Sequence, residues 1–111
     1  MRKRVYLAGP MSGGSRIENF TSGLQAYHVL LKKGYAPICP QITFLVANIL
    51  NDVTYEEWME VDFSWVSACD AVLRLPGHSP GADREVALAI QLGIPVYHSI
   101  GDLFEEMVDA A

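Results

Sequence analysis

The sequence predicts an α/β fold, with helices covering both faces of a parallel sheet of about four strands. Three observations predict it. Short apolar runs alternate along the chain with segments of helical period. Glycine or proline stands at most of the changes from one pattern to the other. Half of the 111 residues are apolar, enough for one compact core, so residues 1–111 read as a single domain.

The first strand is VYLA, Val5 to Ala8, closed by Gly9-Pro10 and the turn-rich loop GPMSGGSR. A helix follows from Ile17. Its apolar positions Ile17, Phe20, Leu24, Tyr27 and Leu31 recur at steps of three and four, and Gly34 stops it. YAPIC is the second strand, and Pro37 restricts it to a place where a missing N–H is tolerated. Residues 41–50 read equally as a short helix or a flap. Thr54 caps the next helix, with Glu57 three residues on as a capping-box partner, and the helix runs to about Cys69. AVLRL is the third strand and PGHSPG the loop after it. A helix then reaches Gln91 and is ended by Gly93. IPVYH is the fourth strand, and DLFEEMVDA a last amphipathic helix. Strands separated by helices pair in parallel through right-handed crossovers. The expected result is a small flavodoxin-like or Rossmann-like three-layer sandwich with strand order 2-1-3-4. Its ligand crevice should lie beyond the carboxyl ends of strands one and three, where GPMSGG and PGHSPG leave the sheet.

Composition narrows the function. Eight basic and 13 acidic residues give a net charge of -5, and the only basic runs are Arg2-Lys3-Arg4 and Lys32-Lys33. That argues against binding nucleic acid through its phosphates. A small anion could still be held by backbone N–H groups. No apolar run reaches the roughly 18 residues of a membrane span, and the N-terminus reads as a strand rather than a signal peptide. Two cysteines, Cys39 and Cys69, make no disulfide framework, so a cytoplasmic protein is expected. The sequence has no CxxC or HExxH, and His28, His78 and His98 have no metal-site spacing. No metal and no cofactor is expected. GPMSGG is not the GxGxxG of a dinucleotide site.

Two carboxylates fall on helix faces that should be buried. On the Thr54–Cys69 helix, Trp58, Val61, Trp65 and Cys69 form an apolar stripe, and Asp62 lies inside it. On the next helix Asp83, Arg84 and Gln91 mark the wet side, and Glu85 is in line with Leu88, Ala89 and Leu92. A desolvated carboxylate without a partner costs several kcal/mol or takes up a proton. Two of them beside one crevice point to acid/base or nucleophilic chemistry. The structural alternative stays open: Asp62 could bond a backbone or indole N–H, and Glu85 could favour a helix start. Tyr6, just before the first glycine loop, could reach the crevice or simply pack. Ser79-Pro80-Gly81 describes an N-cap and equally an anion site, and Ser12, Gly13 and Gly14 carry the same double reading. Asp70 reads as a residue that ends a helix, Arg74 as an edge or acid-paired cation, and His78 as a solvated loop residue.

Together VYLAGPMSGG, DFSWVSACDAVL and SPGADREVALAIQLGIPV resemble the nucleoside 2-deoxyribosyltransferase superfamily. That superfamily includes transferases that swap bases between deoxynucleosides and nucleoside 5′-monophosphate N-glycosidases. The resemblance runs from Val5 to about Val96. Its most specific part is Asp62, Asp70, and Ser-x-Gly-x-x-x-Glu followed by Ala and Gly-x-Pro. It implies that Glu85 attacks the anomeric carbon, that Asp62 delivers a proton to the departing base, and that Tyr6 orients Glu85. Gly9, Pro10, Ser12, Gly13, Ser79 and Gly81 would contact the substrate. Ser79 stands where many transferases carry an acid, and a neutral hydroxyl tolerates a 5′-phosphate. Ser12 stands where the hydrolases carry an arginine, which leaves the phosphate preference open. The resemblance also implies a small-molecule nucleoside or nucleotide as partner, no nucleic acid or membrane, and a homo-oligomer. A non-catalytic nucleoside- or nucleotide-binding module on the same fold is the alternative.

Overall fold

A computed structural model of the chain describes residues 1–10, 16–40 and 49–107, with side chains in the first helix described from residue 21 onward. Four strands alternate with helices along the chain: β1 (Arg4–Ala8), α1 (Arg16–Lys32), β2 (Ala36–Ile38), α2 (Tyr55–Ala68), β3 (Ala71–Arg74), α3 (Pro80–Gln91), β4 (Val96–Tyr97) and α4 (Ile100–Met107). The sheet order is β2-β1-β3-β4 and every pairing is parallel. This is the flavodoxin-like arrangement the sequence predicts. Tyr6 stands between Ile38 and Val72 in the register.

The side-chain period of two sorts the strands between two cores. Val5, Leu7, Ala71 and Leu73 face Ala26 and Leu30 of α1 and Leu103 and Met107 of α4. Tyr6, Ala8 and Val72 face the other way, toward Val66 of α2 and Ala82 and Ala89 of α3. Leu30 and Leu103 are fully buried, and each contributes roughly 1.5–3 kcal/mol relative to exposure. Among the described residues no helix is long and apolar enough to cross a membrane.

Local chemistry fixes the element ends. Thr54 Oγ1 accepts from Glu57 N at 3.1 Å, and Thr54 N donates to Glu57 Oε1 at 2.9 Å, so the capping box is complete. Gly34 follows α1 with φ +95°, a conformation that costs glycine nothing. Pro37 sits on edge strand β2, where a missing donor can face away from the sheet. Strands two to four are shorter than read. The last helix begins two residues before Asp102, with Ser99 Oγ accepting from Asp102 N at 3.1 Å. The ambiguous stretch 41–50 lies largely outside the described residues.

Two helix faces differ from the expected ones. In α1 Leu24 and Leu31 are exposed, while Ala26 and Leu30 are buried. In α2 Val61 and Trp65 are about half exposed, and the buried line is Met59, Asp62, Val66 and Cys69. The reason is geometric. Positions 58, 61, 65, 69 and positions 59, 62, 66, 69 are both helical stripes, about 100° apart, so periodicity alone does not choose between them. Packing chose the stripe that carries Asp62.

Candidate functional site

The strand order reverses between β1 and β3, the place in a parallel sheet where ligands bind beyond the carboxyl ends of the strands, and two loops leave the sheet there. Tyr6 enters from β1, Asp62 from the middle of α2 and Glu85 from the second turn of α3. All three are buried, with 1%, 8% and 4% exposure. Tyr6 Oη donates a hydrogen bond to Glu85 Oε2. Asp62 lies close enough to Glu85 for the two carboxyl groups to influence each other's ionisation. Among the described residues no buried side-chain polar atom lacks a partner.

Burial drives the electrostatics. It pushes the Glu85 carboxyl up to about 8. The Tyr6 bond and the field of Arg74 oppose that rise, and the charge and bond of Asp62 reinforce it. Burial raises Asp62 too, against the bond from Glu85. Tyr6 is pushed far above its ordinary value, first by burial and then by the two carboxyl groups, so it remains a neutral donor. Two carboxyls in one dry site therefore share one proton near neutral pH and titrate as a pair. A buried pair of this kind can hold a proton on one carboxyl and a charge on the other, and the Tyr6 hydroxyl is placed to stabilise a charged Glu85 oxygen.

The loops build the rim. Gly9 and Pro10, directly after β1, are buried. A Cβ on Gly77 would lie 2.9 Å from Pro10 Cγ, and Gly77 has φ +115°, so both contact and backbone demand glycine there. Ser79 caps α3, its Oγ accepting from Ala82 N at 3.1 Å. Gly81 faces Tyr55 Oη and Met59 Sδ, whose distances from a Cβ there would be 3.4 and 3.5 Å, so it also lets α3 approach α2 closely. Ser12 and Gly13 lie outside the described residues.

Other candidates lie elsewhere. Asp70 accepts from Arg4 N at 2.7 Å, a bond that holds its carboxyl below the usual range, and it pairs with Arg4 Nε at 3.5 Å. It ties β3 to the start of β1, at the rim opposite the crevice. His78 and His98 are exposed. Among the described residues no three His, Cys, Asp or Glu side chains are grouped to hold a metal.

Arg74 is paired with an acid, Asp83, one of the two readings its place in a strand allowed. Its side chain is nearly buried at 11% exposure. It donates to Leu75 O, to Gly77 O at 2.9 Å and to Asp83 Oδ1 at 3.2 Å. It thus holds the loop after β3 against α3 and lends its charge to Glu85. The available signal was a cation inside the apolar strand AVLRL. On the outside, Arg84 bridges α3 to Glu56 of α2 at 2.9 and 3.2 Å and lies over the rings of Tyr55 and Phe63. Such exposed pairs contribute little stability. This one helps align the two helices that bring Asp62 and Glu85 together.

The chain belongs to the family described as Domain of unknown function (DUF4406), which matches residues 3–98. Among solved structures, the fold is similar to a 2-deoxyribosyltransferase from the psychrotolerant bacterium Bacillus psychrosaccharolyticus. The TM-score is 0.65 and the identity 19%, over 87% of this chain and 75% of that one. At that identity the likeness is one of fold. No curated protein matches the sequence.

Proposed function

We propose that this chain cleaves the N-glycosidic bond of a (2′-deoxy)nucleoside or nucleoside 5′-monophosphate through a covalent glycosyl-Glu85 intermediate. The observation that carries this reading is the burial of Tyr6, Glu85 and Asp62 together, with Tyr6 bonded to Glu85 and Asp62 close enough to perturb it. A site meant only to hold a ligand gains nothing from two desolvated carboxyls that must share a proton. A glycosyl centre that turns cationic in the transition state needs one carboxylate beside it, and the leaving base needs a proton. The likeness of fold to a 2-deoxyribosyltransferase agrees with that chemistry.

The shared proton moves to Asp62 and leaves Glu85 ionised against the Tyr6 hydroxyl. Asp62 gives that proton to the departing base as the C1′–N bond breaks. A Glu85 oxygen forms a bond to C1′, giving a glycosyl ester. A second base or a water then attacks C1′ from the opposite face. Asp62 takes up the acceptor's proton, and the ester bond breaks to regenerate the Glu85 carboxylate. Two inversions give net retention. Gly9, Pro10, Ser79 and Gly81, and from the sequence Ser12 and Gly13, contact the substrate in this reading. The neutral Ser79 hydroxyl, at the positive end of α3, admits a 5′-phosphate. A cytoplasmic homo-oligomer goes with this reading, and sedimentation tests the assembly.

The test is incubation with a panel of deoxynucleosides and their monophosphates, with and without an acceptor base, followed by chromatography of the released base. Wild type should release base and Glu85→Ala should not, while Glu85→Ala still binds the substrate. Intact-protein mass spectrometry of wild type should detect the glycosyl adduct. Equal turnover by both proteins would remove Glu85 as nucleophile, and no turnover by either would leave a binding module.

A further inference from the structure

The two basic runs of the sequence, far apart in the chain, meet at the rim opposite the carboxyl cluster. Parallel pairing of β1 with β2 puts Lys3 beside the start of β2, and Ala36 N donates to Lys3 O at 2.8 Å. Helix α1 ends at Lys32, just before β2, so Lys33 reaches the same rim. Arg2 Nη1 donates to Leu31 O at 2.9 Å and Tyr35 O at 3.0 Å, tying the segment before β1 to the end of α1. Five of the eight lysines and arginines of a chain with net charge -5 belong to these two runs. Asp70 engages Arg4. The ion pairs among the described residues do not include Arg2, Lys3 or Lys33.

Arg2, Lys3 and Lys33 line a cavity of about 440 Å³ together with Gly34, Tyr35 and Phe104. The Tyr35 and Phe104 rings stack with centroids 5.8 Å apart and planes 19° from parallel. That volume is within the range of small-molecule sites. The lining is of two kinds, and the two kinds select a ligand jointly. Cations concentrated on an otherwise acidic protein attract an anion, and Arg2 keeps donors beyond the Nη1 that it spends on the backbone. The aromatic wall rewards a flat apolar surface, which an inorganic anion lacks. A neutral ring alone would leave the cations unused.

We propose that this cavity is a second ligand site, which takes a small molecule of the nucleoside monophosphate class, phosphate toward Arg2, Lys3 and Lys33 and planar ring against Tyr35 and Phe104. It is separated from the Tyr6–Glu85–Asp62 crevice by the length of the sheet, so its occupancy does not depend on the proposed chemistry.

The experiment is a titration of the whole chain with adenosine 5′-monophosphate, followed by backbone amide NMR, with adenosine and inorganic phosphate as separate probes. Saturable shifts are expected at Lys3, Lys33, Gly34 and Phe104. The monophosphate should bind about tenfold more tightly than either fragment probe, since only it engages both walls. Lys33→Glu, and Lys3→Glu with Lys33→Glu together, should weaken that binding by about tenfold or more as attraction turns to repulsion. Both variants should keep the wild-type circular dichroism. Glu85→Ala should leave the shifts at this rim unchanged. Shifts confined to residues near Glu85 and Gly77, no saturable shifts, or unchanged affinity in the Lys33→Glu variant would each overturn the proposal. Saturable binding at this rim by a protein that turns over no nucleoside would sink the glycosidic reading and leave this one standing.

Discussion

Replacing Glu85 by glutamine keeps the shape and bonding capacity of the side chain and removes its ionisation. In the folded chain Glu85 keeps its proton to about pH 8, whereas its ordinary value is 4.5. Between those values the folded state holds more protons than the unfolded state, so stability falls as pH rises. The contribution is complete below 4.5 and is lost as pH climbs through about 8. At about 1.4 kcal/mol per pH unit, the interval amounts to a quantity on the order of 5 kcal/mol. Asp62 is shifted the same way and adds to the slope. Asp70 is shifted the opposite way, so its contribution is lost only as pH falls into the acid range, outside this window. For a domain of this length the change corresponds to a fall in Tm of roughly 20 °C from about pH 5 to about pH 9. Urea unfolding and thermal melts across that range measure it. The Glu85→Gln protein should show a much flatter profile, match wild type within about 1 kcal/mol at the acid end, and exceed it at the alkaline end. Wild-type and Glu85→Gln curves that run parallel throughout would show that the carboxyl is not held protonated by its surroundings, and the shared-proton argument would fail.

Tyr6→Phe removes the donor that stabilises ionised Glu85. Base release should drop roughly 10- to 100-fold, the worth of one hydrogen bond to a charge, and the acid limb of the pH–rate profile should move upward. Arg74→Met removes a positive field that opposes the rise of Glu85. Carboxyl ¹³C NMR should show the Glu85 midpoint moving up by as much as about one pH unit, and an unmoved midpoint would confine Arg74 to holding the loop. Gly77→Ala forces a side chain onto a backbone at φ +115° and against Pro10. It should cost about 1–3 kcal/mol and also raise KM for the nucleoside, because both rim loops shift. Gly34→Ala, at φ +95° with open space around it, should cost stability and leave KM unchanged.

The carboxyl cluster was legible in outline because its members break a local rule. Asp62 and Glu85 interrupt apolar helix faces, and a charge in such a place has to be explained by a partner or a task. Their burial was inferable from the pattern even though the exact stripe of α2 was not. Val61 and Trp65 are the more apolar choice, yet the helix turns Met59, Asp62 and Val66 inward. For Arg74 the acid partner was legible as a possibility, but its two loop-carbonyl partners were not. Nothing in AVLRL encodes that loop's path. The cavity between Arg2, Lys33 and Phe104 was equally hidden, since it joins segments from both ends of the chain.

By itself the sequence determined the alternation of strands and helices, the parallel sheet in its order, the capping box at Thr54 and the identity of the two odd carboxylates. These follow from short-range rules: period, turn chemistry and the fixed hand of the crossover connection. Tertiary structure alone decided which of two adjacent stripes each helix buries, that Tyr6 reaches Glu85, and that burial raises both the Glu85 and Asp62 carboxyls. Those outcomes depend on desolvation and on contacts between residues distant in the chain, and both exist only once the helices are packed against the sheet.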